Sequence, residues 1–453
     1  MGTKLGANEK IKRRNSRTHK CCRCEPKAEL ISEKGKAMIR CNQQRRKTTA
    51  GSKFMLWTVC AAALMGSAGV SQAGTLEQAK RMHDRLAGVP PTEDVLLQMK
   101  SDLDSGDGVA AAMKAMEHDG FYNVTVKNWA APWTNREQTV FVPLNDYVAT
   151  VVGFVRDGDT MDFRELLSAD VLYTGNASLG LAAYSNSNNS HYEQLETGGY
   201  SLKDNLVQSS QSALTGLPAD ATAGVVTSRA AARSFFKAGT NRANFRFTLL
   251  NHLCMDLEQV HDVTGVPDRI RQDVSRSPGG DARVFLNNCI GCHTGMDPLT
   301  QAFAYYDYEY DADEDLTGEN GSISYNAEGT TDPETGTRVK AKYRINSATF
   351  PTGFVTPNDS WDNYWREGPN QNLGWDQALS GSGTGARSML VELAHSEAFA
   401  ACQVKKVFKA VCLRDPGDTN DRSALNGMIS NFKNSDYNIK QMFAESADYC
   451  KGE

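Results

Sequence analysis

Cys289, Ile290, Gly291, Cys292 and His293 follow one another in this chain, and no other stretch limits its possible architecture so strongly. Two thiols stand two residues apart and an imidazole comes at once after the second. Each thiol can bond one vinyl group of a haem, and the His then lies under the porphyrin where it can ligate the iron. The pattern C-x-x-C-H is therefore an attachment site for a c-type haem. By composition alone a chance match is expected in roughly one chain in two hundred. A dithiol redox pair or half of a zinc site would use the same two cysteines. A zinc site is poorly supplied, because the next cysteines, Cys402 and Cys412, lie more than a hundred residues downstream and ten apart.

Haem is joined to such proteins outside the cytoplasm, so the motif calls for an export signal. Phe54 to Val70 is an uncharged, mostly apolar run preceded by Arg40, Arg45, Arg46, Lys47 and Lys53. Ser71 and Ala73 place small residues at −3 and −1 of a cut after Ala73, which completes the layout of a secretory signal peptide. As an uncleaved anchor the run is marginal for about 30 Å of hydrocarbon, and it dilutes into Gly and Ser at its end. Met38 would give a leader of ordinary length. Residues 1–37, with Cys21, Cys22 and Cys24, are read as discarded with it.

Removing residues 1–73 takes away 16 Lys and Arg but only 4 Asp and Glu, leaving 33 basic and 50 acidic side chains and a net charge near −17. An acidic surface of that size disfavours nucleic acid and anionic membrane and favours a basic redox partner. No later apolar run is long enough to cross a bilayer. Six cysteines remain: the motif takes two, and Cys254, Cys402, Cys412 and Cys450 can form two disulfides in an oxidising compartment. Three pairings are possible, of which Cys412 with Cys450 and Cys254 with Cys402 is the preferred one.

The fold class expected is mainly α: a helical haem-binding core with an irregular, partly β polar insertion. Residues 74–225 form an N-terminal helical region. TLEQAKRMHDRLAG stops at Gly88 before Pro90 and Pro91, Thr92 caps VLLQMKSDLDSGDG, and VAAAMKAMEHDG is a third helix. FYNVTVKNW and TVFVPL read as strand-like or extended, LNDYVATVVGFVRDG and DFRELLSADVLY as helical or mixed, and 185–222 as loop or linker. Residues 226–453 form the haem domain. Within it Ser228 to Val263 is a long helical region, 308–376 is the insertion with KAKYRI strand-like, and the tail from Ala386 returns to helix. Asp311, Asp313 and Asp315 begin like a calcium loop. Leu316 stands at its glycine position and Ser322 where the bidentate Glu belongs, so the segment is read as a solvated acidic turn.

Around the motif, Met296-Asp297-Pro298-Leu299 and then Ala302-Phe303 with Tyr305-Tyr306-Asp307 resemble the haem unit of the planctomycete-type cytochrome c family. Arg85 to Thr92, residues 162–173, Leu393 to Cys402 and Leu413-Arg414 extend the likeness over most of the exported chain. Thr300 and Leu413 stand where that family prefers Gly, and the acidic insertion replaces its Gly-x-Trp-Arg segment. The resemblance implies an exported haem protein and little about substrate.

Cys289 and Cys292 would form the thioethers and His293 the proximal iron ligand. Asp297 and Pro298 would shape the turn after the motif, with Asp297 a cap for the next helix. The sixth ligand stays open among Met389, His252, Met255, His261 and His395, while Met296 lies too near His293 to reach the opposite face. A Met there would favour electron transfer and an open position small-molecule chemistry. The function expected is thus that of a periplasmic monohaem electron carrier. A haem-dependent oxidoreductase or ligand-binding protein, and a binding scaffold stabilised by haem, are the alternatives.

Overall fold

The structure, a computed structural model, describes residues 74–276 and 281–452. The signal segment and Met38 lie outside the described residues. Twelve helices of seven residues or more occur among those described: α1 Thr75–Ala87, α2 Glu93–Asp104, α3 Gly108–Ala115, α4 Asp146–Arg156, α5 Ser190–Thr197, α6 Arg242–Thr248, α7 Ala282–Asn288, α8 Ile290–Thr300, α9 Gly385–Ala394, α10 Glu397–Cys412, α11 Thr419–Asn434 and α12 Ile439–Tyr449. Strands form three short antiparallel ribbons: β1 Leu172–Gly175 with β2 Leu206–Ser209, β3 Tyr306–Glu309 with β4 Ser322–Tyr325, and β5 Ser360–Asp362 with β6 Ser382–Thr384. The protein is mainly α with small sheets, as its sequence patterning predicts.

Local chemistry sets the helix ends. In α1 the buried side chains Ala79, Met82, His83 and Leu86 recur at helical spacing. The helix stops where Gly88 adopts φ 74° and its N–H returns to the Asp84 carbonyl. The Thr92 hydroxyl accepts the Val95 N–H at the start of α2, and Asp107 accepts that of Ala110 at the start of α3. The small face of α3 lets α12 come close: a Cβ on Gly108 would overlap the Asp448 side chain. Helix α4 is buried along Asp146 to Val155.

One large apolar core runs from Ala79 to Ala447 and takes in Val225 and Val226, at the boundary drawn from sequence. In it Phe121, Trp129 and Phe443 pack edge to face, with Phe443 5.2 Å from each of the other two. The disulfide Cys254–Cys402 fastens the end of the α6 region to α10, and Cys412–Cys450 fastens the end of α10 to the end of α12. These are the two pairs preferred from sequence. Among the described residues no helix is long and apolar enough to cross a membrane.

Four segments differ from expectation, the first being Ser228 to Val263, which is helical over Arg229–Phe236 and Arg242–Leu253 and irregular between and after them. FYNVTVKNW is helical, a wide turn over Phe121–Val126 running into Lys127–Ala130. Its buried residues Tyr122, Val126 and Trp129 keep helical spacing, and packing overrides the strand preference of Val and Thr. Residues 185–222 are not a plain linker, since they supply α5 and β2. KAKYRI forms a short helical turn over Ala341–Arg344 that buries Tyr343.

Candidate functional site

The motif opens helix α8. Asp281 caps α7, whose last turn ends at Cys289. There the backbone breaks to φ −112° and ψ −35°, and α8 begins. The Cys289 carbonyl accepts the N–H of Cys292 at 3.2 Å and of His293 at 3.3 Å, so the pentapeptide closes one turn. Positions 289, 292, 293 and 296 then share one helix face. The opposite face carries Gly291 and Gly295. A Cβ on Gly291 would stand 2.5 Å from Nε2 of His261, and one on Gly295 would overlap the Trp365 indole. Both glycines are small because aromatic rings rest on the backbone there, which leaves the sulfur and imidazole face on the other side.

Cys289 is buried with Ile270, Val274, Phe285 and Phe350. The half-buried Cys292 donates from Sγ to the Leu257 carbonyl at 3.3 Å. His293 is buried, 5.6 Å from the Phe285 ring between centroids. Its Nδ1 lies 3.1 and 3.2 Å from the two oxygens of Asp297, one helical turn on. An ionised carboxylate can only accept, so Nδ1 carries a proton and Nε2 is the ring nitrogen left to take a ligand.

Asp297 has no exposed surface. Arg242 of α6 reaches it with Nε at 2.8 Å and Nη2 at 3.1 Å, and the same Nη2 donates to Asp273 at 2.6 Å. Arg271 pairs with Asp273 at 3.1 Å and lies 4.3 Å over the Tyr343 ring. Two guanidinium groups and two carboxylates thus balance within the interior, which limits the cost of burying each charge. Burial alone would push the Asp297 carboxyl up. Arg242, then His293 and Arg271, outweigh it and hold the group well below the usual carboxylate range.

Asp297 and Pro298 are therefore not the turn expected after the motif. Both sit inside α8, and the Asp297 side chain serves His293 and Arg242 rather than capping a further helix. The i,i+4 spacing of His293 and Asp297 was available as a signal. Arg242, Arg271 and Asp273 lie 55, 26 and 24 positions from Asp297 along the chain, and no local pattern ties them to it.

The residues weighed for the sixth position scatter. His252 is fully buried in the main core, its Nε2 2.7 Å from the Tyr147 hydroxyl and its ring beside Trp133 and Phe399. Met389 is buried in α9, Met255 is half-buried against the main core, and His395 turns Nδ1 back to the Val391 carbonyl. His261 rests on the glycine face. Among the described residues the His293 ring meets Asp297 and Phe285 rather than any of these five.

Do these residues fit a haem? Two thiols a helical turn apart, with an imidazole whose Nδ1 is anchored and whose Nε2 is left to ligate, form the right donor set. The surroundings fit too. Helix α7 buries only Phe285 and leaves Val284 and Leu286 exposed at 38% and 48%. Val263, next to Asp262 whose N–H donates to the Gly291 carbonyl, is also exposed, as are Val266 and Val355. So much apolar surface around one short element is what a large apolar group would cover. Among the described residues no set of three or more His, Cys, Asp and Glu side chains gathers to hold a metal ion. A porphyrin supplies four of the iron's ligands itself, so one imidazole suffices.

A separate cleft of about 480 Å³ is lined by Arg136, Arg229, Arg233, Lys237 and Glu319 among others, none of them from the motif. Arg229 and Arg233 are held by Glu319, and Arg136 by the Ser234 carbonyl. No family model, no curated protein and no solved structure matches this chain.

Proposed function

We propose that this protein is an exported monohaem c-type cytochrome that transfers electrons through one covalently bound haem. The observation that carries the reading is the shared helix face of Cys289, Cys292 and His293, with Nδ1 of His293 held by Asp297. Cys289 and Cys292 would hold the porphyrin through thioethers, and His293 would hold the iron. A haem bound there supplies a one-electron ferric–ferrous couple. The buried carboxylate and guanidinium groups keep the imidazole from turning, and the exposed apolar side chains of α7 would help exclude water from a group bound there. The Phe54–Val70 leader supports a periplasmic location, and the acidic balance after Ala73 supports a redox partner with a basic surface. The resemblance to the planctomycete-type cytochromes adds to this reading.

A haem-dependent oxidoreductase is the second reading. A carboxylate on the proximal imidazole makes the iron electron-rich, which suits an open sixth position.

Expression with the leader in a host that has working cytochrome maturation tests both. An intact mass that includes one haem, lost together with the visible spectrum in His293→Ala, is the expected result. A mature mass without the increment ends the reading. A weak far-red Met–iron band supports the carrier, and a high-spin spectrum that shifts with cyanide or carbon monoxide supports the oxidoreductase.

A further inference from the structure

We propose that Asp297, clamped by Arg242, sets both the orientation of His293 and the reduction potential of the iron it would hold. The inference rests on the cytochrome reading and goes beyond it by assigning the control of potential to a buried side-chain pair.

The geometry points to positioning first. His293 and Asp297 are one turn apart on α8, so the helix itself delivers the carboxylate to Nδ1. Both oxygens lie at nearly equal distance from Nδ1, 3.1 and 3.2 Å, which fixes the plane of the ring as well as its tautomer. The carboxylate cannot swing away, because Arg242 holds the same two oxygens from α6 with Nε and Nη2. Arg242 is itself fixed by Asp273 at 2.6 Å and by the Thr240 hydroxyl at 3.0 Å. Motion of the imidazole would require three elements of the fold to move together.

Electronic control follows from the same contacts. A proximal imidazole that donates to a full carboxylate gains anionic character and stabilises ferric over ferrous iron, lowering the potential. Arg242 draws on the same oxygens and moderates that effect. Burial strengthens both interactions, since water is absent to screen them. The pair is thus a graded device, with Asp297 supplying electron density and Arg242 limiting how much reaches the ring. Asp297 and Arg242 are positioning residues in this account and do not touch the iron.

The test is a potentiometric titration of mature, haem-loaded protein, read beside its mass and optical spectrum. Asp297→Asn should keep the haem and raise the midpoint potential, because a neutral amide accepts more weakly. Asp297→Glu should bring the potential back toward that of the parent protein. A purely structural role would lower stability in both variants without ordering their potentials by charge. Arg242→Lys keeps the charge but loses the fork that grips two carboxylates, and it should shift the potential while the His293–Asp297 contact stays. If the asparagine variant does not fold, the lysine variant decides. Haem-loaded variants that titrate at the parent potential overturn this inference and leave the cytochrome reading standing. A parent protein without the haem mass overturns both.

Discussion

The two ends of α8 belong to different kinds of interior. Beyond Met296 it enters the large core, where rings such as Phe121, Trp133 and Phe443 are covered and two disulfides tie distant helices. At its start only Ile270, Val274, Phe285, Cys289 and Phe350 cluster, and α7 presents most of its surface to solvent. The first region holds most of the buried apolar side chains. The second is held by the Arg242, Asp297, Asp273 and Arg271 ion cluster and a few aromatic contacts, and regions so thinly packed open at the low end of local stabilities. The motif lies in the more thinly packed of these two regions.

Three experiments press on that contrast. The largest effect concerns the core. Opening Cys254–Cys402 by changing both to Ser frees a loop of 148 residues and should lower stability by about 5 kcal/mol. The Cys412–Cys450 pair, with a separation of 38, should cost about 4 kcal/mol. Urea unfolding checks the order, and equal midpoints for parent and variants would mean that the core does not depend on its ties.

Acid should divide the regions next. Burial, then the Lys406 charge, pushes the His252 imidazole well below 6.5. The unfolded chain therefore takes up that proton first. Its contribution to stability is full above about pH 6.5 and falls as pH drops, by at most about 1.4 kcal/mol per pH unit. Asp297, held below 3.8, keeps its share until the solution is far more acidic. Hydrogen exchange between pH 6.5 and 4.5 should thus show the His252 surroundings loosening while α8 does not. His252→Gln should flatten the dependence, and an unchanged slope would remove His252 as its cause.

The smallest effect tests the exposed apolar face. Val284→Ser with Leu286→Ser should change the stability of haem-free protein by no more than about 0.5 kcal/mol. The same changes should weaken the haem-loaded form measurably more, read as the difference in thermal midpoints. An equal effect on both forms would mean that these side chains cover nothing.

Much of the helical frame was legible because caps and periodicity are local. Thr92 and Gly88 mark ends that any reader of the chain can find. FYNVTVKNW misled because its alternating Val and Thr imitate a strand, while the burial of Tyr122, Val126 and Trp129 is set by neighbours far away in sequence. The site divides in the same way. Cys289, Cys292 and His293 announce themselves by spacing. Asp297 was visible but read as a cap, since a carboxylate four residues after a His has several uses. Arg242 reaches Asp297 only because α6 lies against α8, and helix packing of that kind leaves no trace in a local pattern.

Helix α1 has a consequence for the order in which this molecule is made. Arg85, Arg81 and Gln78 donate to the carbonyls of Cys450, Lys451 and Gly452, partners 365 to 374 positions later. The surface of α1 is thus finished only when residues 450–452 have reached it, and contacts so remote form slowly. Until that clasp shuts, residues 289–293 belong to a chain whose two ends have not yet met.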